Sequence, residues 1–359
     1  MSELPIVLVT GASGFIATHV VSILLAEKKY RVRGTVRDAN NEKSTKPLKD
    51  AFPELELVSA DLNKDDGWKE AVAGCTYVHH LASHPFENPR DRNELIRPAV
   101  DGTKRVLEAC AEAGTVKRVI LTSSIAAIST GYLGNEDKPH DHVYTPDDWT
   151  NPDSQRCPAY EASKTYAEKA AWEFVEKLEG EKKFELVTIH PAGVFGPLIL
   201  PRTSVSHIFF ETLLTRKMSS VPDIMVPFVD VRDVSKAHVA AMTKGISGQR
   251  YILWSESPSL RTLAHILAEE FNPQGYRVPV ANMWKMTLWI GTLFSAQAKI
   301  IYNLLGCHVT CDISKMKEDL GIEPIGLKEC SFDSAYSLIE HGIIPKMAGL
   351  KSREKKEEE

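Results

Sequence analysis

Apolar runs rich in β-branched residues recur at residues 6–10 (IVLVT), 32–36 (VRGTV), 55–60 (LELVSA), 75–81 (CTYVHHL), 117–122 (KRVILT) and 184–190 (FELVTIH), and each reads as a strand. Helical spacing fills the intervals, notably 14–26, 64–73, 93–113 and 157–179. Strands alternating with helices predict a parallel sheet of βαβ units, a doubly wound α/β domain of the Rossmann type over residues 1–190. After His190 the rhythm gives way to "PAGVFGPLILPR", whose prolines and glycines open a smaller, mainly helical lobe. Residues 229–254 return to the first domain. Within them Asp233 is expected to cap a helix carrying Val234, Ala237, His238 and Ala241 on one face, and 249–254 is expected to be a strand. Helical patterns at 260–271, 281–305, 312–320 and 329–342 place 191–228 and 255–342 in the second lobe. The segment 343–359, ending in "KSREKKEEE", reads as a solvated, disordered tail.

The first strand runs into "TGASGFIA", a G-x-x-G-x-x-A turn at the mouth of the first helix. Gly11 allows a tight turn, Gly14 lets backbone come close to a pyrophosphate, and Ala17 is small enough for helix and strand to pack together. The helix N-terminus adds N–H groups and a positive dipole end, so residues Gly11, Ala12, Ser13, Gly14, Phe15 and Ile16 are candidates for binding a dinucleotide. About 20 residues on, an acidic side chain would suit a ribose 2′-hydroxyl and an arginine a 2′-phosphate. This chain has "GTVRD": Arg37 stands first past the strand, with Asp38 behind it. A guanidinium can pair with phosphate and stack on adenine, which favours NADP(H) over NAD(H). Asp61 and Leu62 would lie beside the adenine, and Leu81 and Ala82, within "LAS", under the nicotinamide ribose.

Beyond the fifth strand comes "ILTSS", and 36 residues after Ser124 comes "YEASK", Tyr160 to Lys164. Tyrosine and lysine at i and i+4 share one helix face and can serve one site. A nearby ammonium is expected to lower the phenol's pKa, making Tyr160 a general acid near neutral pH, while Lys164 also holds ribose hydroxyls. Ser124, aimed at a substrate oxygen, would stabilise charge developing on a carbonyl as hydride arrives.

Composition narrows the partners. A net charge of −5 and a pI near 6.2 leave no global basic field, against nucleic acid as the main partner. Six cysteines, scattered without C-x-x-C pairs, indicate neither a zinc site nor a disulfide framework, so no metal is expected and the thiols read as reduced, in a cytoplasmic protein. The N-terminus lacks the features of a secretory signal. "MTLWIGTLFSA" at 286–296 is too short to span a bilayer and reads as a buried or substrate-facing helix, so no membrane partner is expected. A monomer or homodimer acting on a small carbonyl substrate fits these bounds.

With these pieces the sequence resembles the extended short-chain dehydrogenase/reductases, and within them the group of plant dihydroflavonol reductases and yeast-type NADPH-dependent aldehyde and ketone reductases. The resemblance covers about residues 4–342 and is carried by "VTGASGFIA", "TVRD", "ADL", "CTYVHHLAS", "DGTKRVLEAC", "KRVILTSS", "YEASKTYAEKAAW", "HPAGVFGP" and "VDVRDVSKAHVAAM". It implies that Ser124, the second serine of "TSS", is the catalytic one, that Tyr160 donates the proton with support from Lys164, and that Arg37 holds the 2′-phosphate. It also implies that Val194 and Ser204 approach the nicotinamide end. Two positions depart from the family pattern. Ser129 stands where dihydroflavonol reductases carry an asparagine that meets flavonoid hydroxyls, and His190-Pro191 replaces Asn-Pro or Tyr-Pro. His84 or Phe86, in "SHPFENPRD", is a candidate substrate contact. A 3β-hydroxysteroid dehydrogenase/isomerase, an NAD-dependent sugar-nucleotide epimerase and a non-catalytic NADP(H)-sensing scaffold remain alternatives.

Overall fold

In the computed structural model, residues 4–84, 89, 91–129, 138–139, 141–293, 301–302 and 304–353 are described, and Phe86 lies outside them. The chain divides into two units: Met1–Ala192 with Val231–Trp254 and Val309–Pro324, and Gly193–Asp230 with Ser255–His308 and Ile325–Glu359.

The first unit is built on seven strands: β1 (Ile6–Val9), β2 (Arg31–Val36), β3 (Glu56–Ser59), β4 (Cys75–His80), β5 (Arg118–Thr122), β7 (Glu185–Pro191) and β10 (Arg250–Leu253). Their order is β10-β7-β5-β4-β1-β2-β3 and every pairing is parallel. The order reverses between β1 and β4, which opens a crevice at the carboxyl ends of the strands. Helices α3 (Trp68–Val72), α4 (Asn93–Ala113) and α5 (Ala159–Glu176) share one core with the sheet, in which Leu8, Val78, Val106, Leu107, Val119 and Leu186 are buried. Helices α1 (Phe15–Glu27) and α7 (Val231–Ala241) pack against each other, and His79 of β4 meets His238 of α7 with ring centroids 5.6 Å apart. The expected Rossmann-type α/β fold is therefore present.

Differences from the sequence reading have local causes. Helix α2 (Glu42–Ala51), which contains Pro47, is not among the helices read from the sequence; Asn41 starts it by accepting the Ser44 N–H at 3.2 Å. The pattern at 64–73 yields only α3, since Gly67, at φ 86°, must first turn the chain. Asp233 is not a cap: α7 begins two residues earlier, at Val231, leaving Asp233 buried in the first turn. Residues 309–324, expected in the second lobe, cluster with the first unit. Two-residue β11 (Thr310–Cys311) pairs with β6 (Val143–Tyr144), and Cys311 packs with Ile128, Tyr144 and Ile252.

In the second unit β8 (Gly193–Phe195) pairs in parallel with β9 (Phe228–Asp230), stacking Phe195 on Phe228 at 5.6 Å. Helix α6 (Ile208–Leu214) brings Phe210 edge-on to Phe195 at 5.0 Å, and α8 (Leu260–Phe271) packs against the helix Leu327–Glu340. Helix α9 (Lys285–Gly291) buries Leu288 but exposes Met286, Trp289 and Ile290, so of the two readings, a buried or a substrate-facing helix, the described part of 281–305 does not fit the buried one. Among the described residues no helix is long and apolar enough to cross a membrane.

Candidate active site

Thr10, at the end of β1, organises the switch point. Its hydroxyl accepts the backbone N–H groups of Leu81 (3.0 Å) and Ala82 (2.9 Å) and lies 3.0 Å from His80 Nδ1. One buried side chain thereby locks the ends of β1 and β4 together. Gly11, at φ 63°, then turns so tightly against Ala82 that a Cβ on it would sit 3.1 Å from the Ala82 Cα. The Gly11 N–H donates to Thr35 Oγ1 at 2.9 Å, and Gly14 N–H to the Gly11 carbonyl at 2.8 Å.

Helix α1 thus starts at Gly14 with no side-chain cap and no acidic residue in its first turn. A 13-residue helix whose N-cap makes no side-chain hydrogen bond, with its positive dipole end, suits a diphosphate. Gly34 in β2 belongs to the same device: a Cβ there would come 2.6 Å from the Ala12 Cβ. Gly34→Ala is accordingly expected to displace the turn. A thermal melt should show lower stability, by about 1–3 kcal/mol for such overpacking, and a cofactor titration should show weaker binding.

At the end of β2 the exposed Arg37 side chain is set beside an aspartate already engaged, for Asp38 Oδ1 accepts the Asn40 N–H at 3.0 Å. Past β3, Asp61 Oδ1 accepts the Asn63 N–H at 3.0 Å, while the Asp61 carbonyl takes the Trp68 indole N–H at 3.0 Å. Leu62 packs onto the adjoining core. His84 is held by Asn63, with Nε2 3.0 Å from Asn63 Oδ1.

Past β5 the two serines take different partners. Ser124, in extended backbone, accepts the Ala126 N–H at 3.1 Å and is hydrogen-bonded to Tyr160. Tyr160 stands in the first turn of α5, and Lys164 one turn further along, its Nζ 5.8 Å from the Tyr160 ring centroid and donating to Ser83 Oγ at 3.0 Å. Lys164 lines a cavity with Leu62, His80, Ala82, Ser83 and Glu168. The first unit therefore brings Ser124, Tyr160, Lys164, Leu62 and Ala82 to one end of the sheet. Val194 and Ser204 belong to the second unit: Val194 is buried in β8, and Ser204 caps a 3-10 turn with its backbone N–H on His207 Nδ1 at 3.0 Å.

Burial dominates the electrostatics here. It pushes the Tyr160 hydroxyl up to about 12, against the opposing bond from Ser124. The expected lowering by Lys164 is thus not found: the cost of removing a phenolate from water dominates. Lys164 is itself brought down by burial to about 8, with the Glu168 carboxylate opposing that shift. At neutral pH the phenol is protonated and the lysine charged, the state required for giving a proton away.

The sequence reading missed Glu168, which is 1% exposed. It receives Ser123 Oγ at 2.6 Å, Arg250 Nε at 2.7 Å and Trp172 Nε1 at 3.2 Å, and lies 2.7 Å from His190 Nε2. A glutamate four residues past Lys164 was a signal available in the sequence, but its partners on β5, β7 and β10 were not.

The fold is that of the Rossmann-type oxidoreductases. The chain belongs to the NAD dependent epimerase/dehydratase family, whose model matches residues 7–253. It is 34% identical to cinnamoyl-CoA reductase 1 of Petunia hybrida over 95% of this chain and 94% of that protein. It is 31% identical to the NADPH-dependent methylglyoxal reductase Gre2 of Saccharomyces cerevisiae, over 93% and 98% of the respective chains. The crystal structure of Gre2 from Candida albicans in complex with NADPH superposes with a TM-score of 0.77 at 30% identity, covering 94% of this chain and 99% of that one. These relatives are named reductases, which bears out the expected oxidoreductase and the resemblance read from the motifs.

Proposed function

We propose that the protein is an NADPH-dependent reductase converting an aldehyde or ketone to an alcohol. The observation that carries this reading is the hydrogen-bonded Ser124–Tyr160 pair one helical turn from Lys164, at the same end of the sheet as the N-terminus of α1. Reductase relatives that are named for NADPH, or were crystallised with it, support the choice of cofactor.

When bound, the dihydronicotinamide supplies a hydride to the carbonyl carbon. The chain's own groups do the rest. Residues 11–16 would hold the diphosphate, Asp61 and Leu62 would flank the adenine, and Leu81 and Ala82 would support the nicotinamide ribose, whose hydroxyls Lys164 would bind. Val194 and Ser204 are assigned to the nicotinamide end by the family resemblance alone. As charge develops on the substrate oxygen, Ser124 donates a hydrogen bond to it and Tyr160 gives it the phenolic proton. Lys164, as an ammonium, favours the phenolate left behind. Ser129, in place of an asparagine, argues against flavonoid hydroxyls as what the pocket recognises. Six cysteines outside any disulfide, five of them buried, accord with action in the reducing cytoplasm.

Asp38 spends its carboxylate on its own loop while Arg37 extends into solvent, so the 2′-phosphate falls to Arg37. Initial rates on a panel of aldehydes and ketones, with NADPH and NADH in parallel, test both parts of the reading. Turnover is expected with NADPH, and Arg37→Ala should raise the KM for NADPH about 10–100-fold, the worth of a charge-assisted hydrogen bond, while leaving that for NADH nearly unchanged. No NADPH oxidation across the panel would overturn the proposal.

A further inference from the structure

Two consecutive serines are bonded to one helix at points eight residues apart. Ser124 meets Tyr160 near the start of α5, and Ser123 Oγ donates to Glu168 at 2.6 Å, about 12 Å further along the axis at the usual helical rise. Lys164 sits midway. We propose that Glu168 is a positioning residue for the reductase site: it pins the Ser123–Ser124 segment against α5 and supplies the buried negative charge that keeps Lys164 protonated. This deepens the proposed reductase reading and rests on it.

Glu168 is built to stay ionised. Arg250 pairs with it through Nε (2.7 Å) and Nη2 (3.4 Å), and donates from Nη1 to the carbonyls of Pro146 and Asp148, both at 2.6 Å. The guanidinium also lies 3.7 Å over the Trp149 ring. His190 from β7 and Trp172 from α5 complete the shell, with Thr188 Oγ1 at 3.5 Å. A buried carboxylate with so many donors is held well below the ordinary range, chiefly by His190 and Arg250 acting against desolvation.

The other titratable groups around Lys164 are Tyr160 and Glu161 on its own helix and His80 and His84 at the end of β4. His80, buried and bonded to Thr10, is neutral near pH 7, its pKa brought down to about 3. Glu161, whose carboxyl burial pushes up, borders Tyr160. Within this set Glu168 is the fixed anion that acts on the ammonium.

A fold-maintaining glutamate and a positioning one differ in what Lys164 does when Glu168 is lost. Ligand-free protein with 13C-dimethylated lysines would be titrated by NMR, the Lys164 signal being assigned by its loss in Lys164→Arg. In Glu168→Gln its midpoint should fall by at least half a pH unit. If that variant does not fold, the double change of Glu168→Gln and Arg250→Met, which removes the buried guanidinium together with its carboxylate partner, carries the same readout. Ser123→Ala keeps the charge, so the Lys164 midpoint should hold while kcat falls about tenfold and the KM for NADPH changes less than twofold. An unmoved Lys164 midpoint in the glutamine variant, or an unchanged kcat in Ser123→Ala, would overturn the proposal. Absence of carbonyl turnover in the unmodified protein would instead overturn the reductase reading, leaving the NMR result to stand by itself.

Discussion

Tyr160→Phe is expected to lower kcat/KM for carbonyl reduction about a thousandfold, in the middle of the ~10²–10⁴ range for a lost general acid, with NADPH affinity changed by less than about twofold. The ring's packing and the adjacent Lys164–Ser83 bond survive the substitution, and only the proton and the bond to Ser124 are removed. Because burial holds the hydroxyl near 12, the wild-type phenol is fully protonated throughout the neutral range. The reduction rate should accordingly not fall through titration of Tyr160 itself below pH 8. The alkaline limit should instead appear near pH 8, where Lys164 loses the charge that stabilises the phenolate. Stopped-flow NADPH oxidation gives the rate, and fluorescence titration gives cofactor affinity. A variant that binds NADPH normally and still turns over at the wild-type rate would assign the proton to another group.

What the sequence made legible was whatever one element carries alone. "TGASGFIA" is a strand end, a turn and a helix start in consecutive residues, and Tyr160 and Lys164 declare themselves by spacing on a single helix. Thr10 and Glu168 could not be found this way. Thr10 acquires meaning only when β4 is laid beside β1, so that its hydroxyl meets the N–H groups of Leu81 and Ala82. Glu168 needs β5, β7 and β10 to deliver Ser123, His190 and Arg250 to one carboxylate. His190, in the sequence only a departure from the family pattern, is in the structure a fully buried partner of that carboxylate.

The same limit explains the errors in fold. Local pattern could not show that two-residue β11 would find β6 some 165 residues upstream, a pairing that moves 309–324 into the first unit. Nor does spacing report the dielectric environment. The lowering of Tyr160 expected from Lys164 is not found, because desolvation, invisible in a sequence, sets the direction of the shift.

Burial of neutral histidines should make the protein acid-labile well above the pH at which carboxylates titrate. His79 is fully buried with neither ring nitrogen bonded, and His80 is 2% exposed; desolvation lowers both to about 3. His238, buried against His79, is lowered in the same direction. Between pH 6.5 and about 3 the unfolded chain binds protons that the folded chain refuses, so stability is fully present above 6.5 and drains as pH falls. Each such histidine costs about 1.4 kcal/mol per pH unit below 6.5, so His79 and His80 together should remove about 4 kcal/mol by pH 5. Urea unfolding of the cofactor-free protein at pH 7 and pH 5 measures this directly. His79→Phe sacrifices no hydrogen bond and should reduce the pH dependence by close to one proton. If that variant keeps the wild-type slope, proton uptake on unfolding between pH 7 and pH 5 does not come from this buried ring, nor from Glu168, whose stabilisation begins to fall only below pH 4.5.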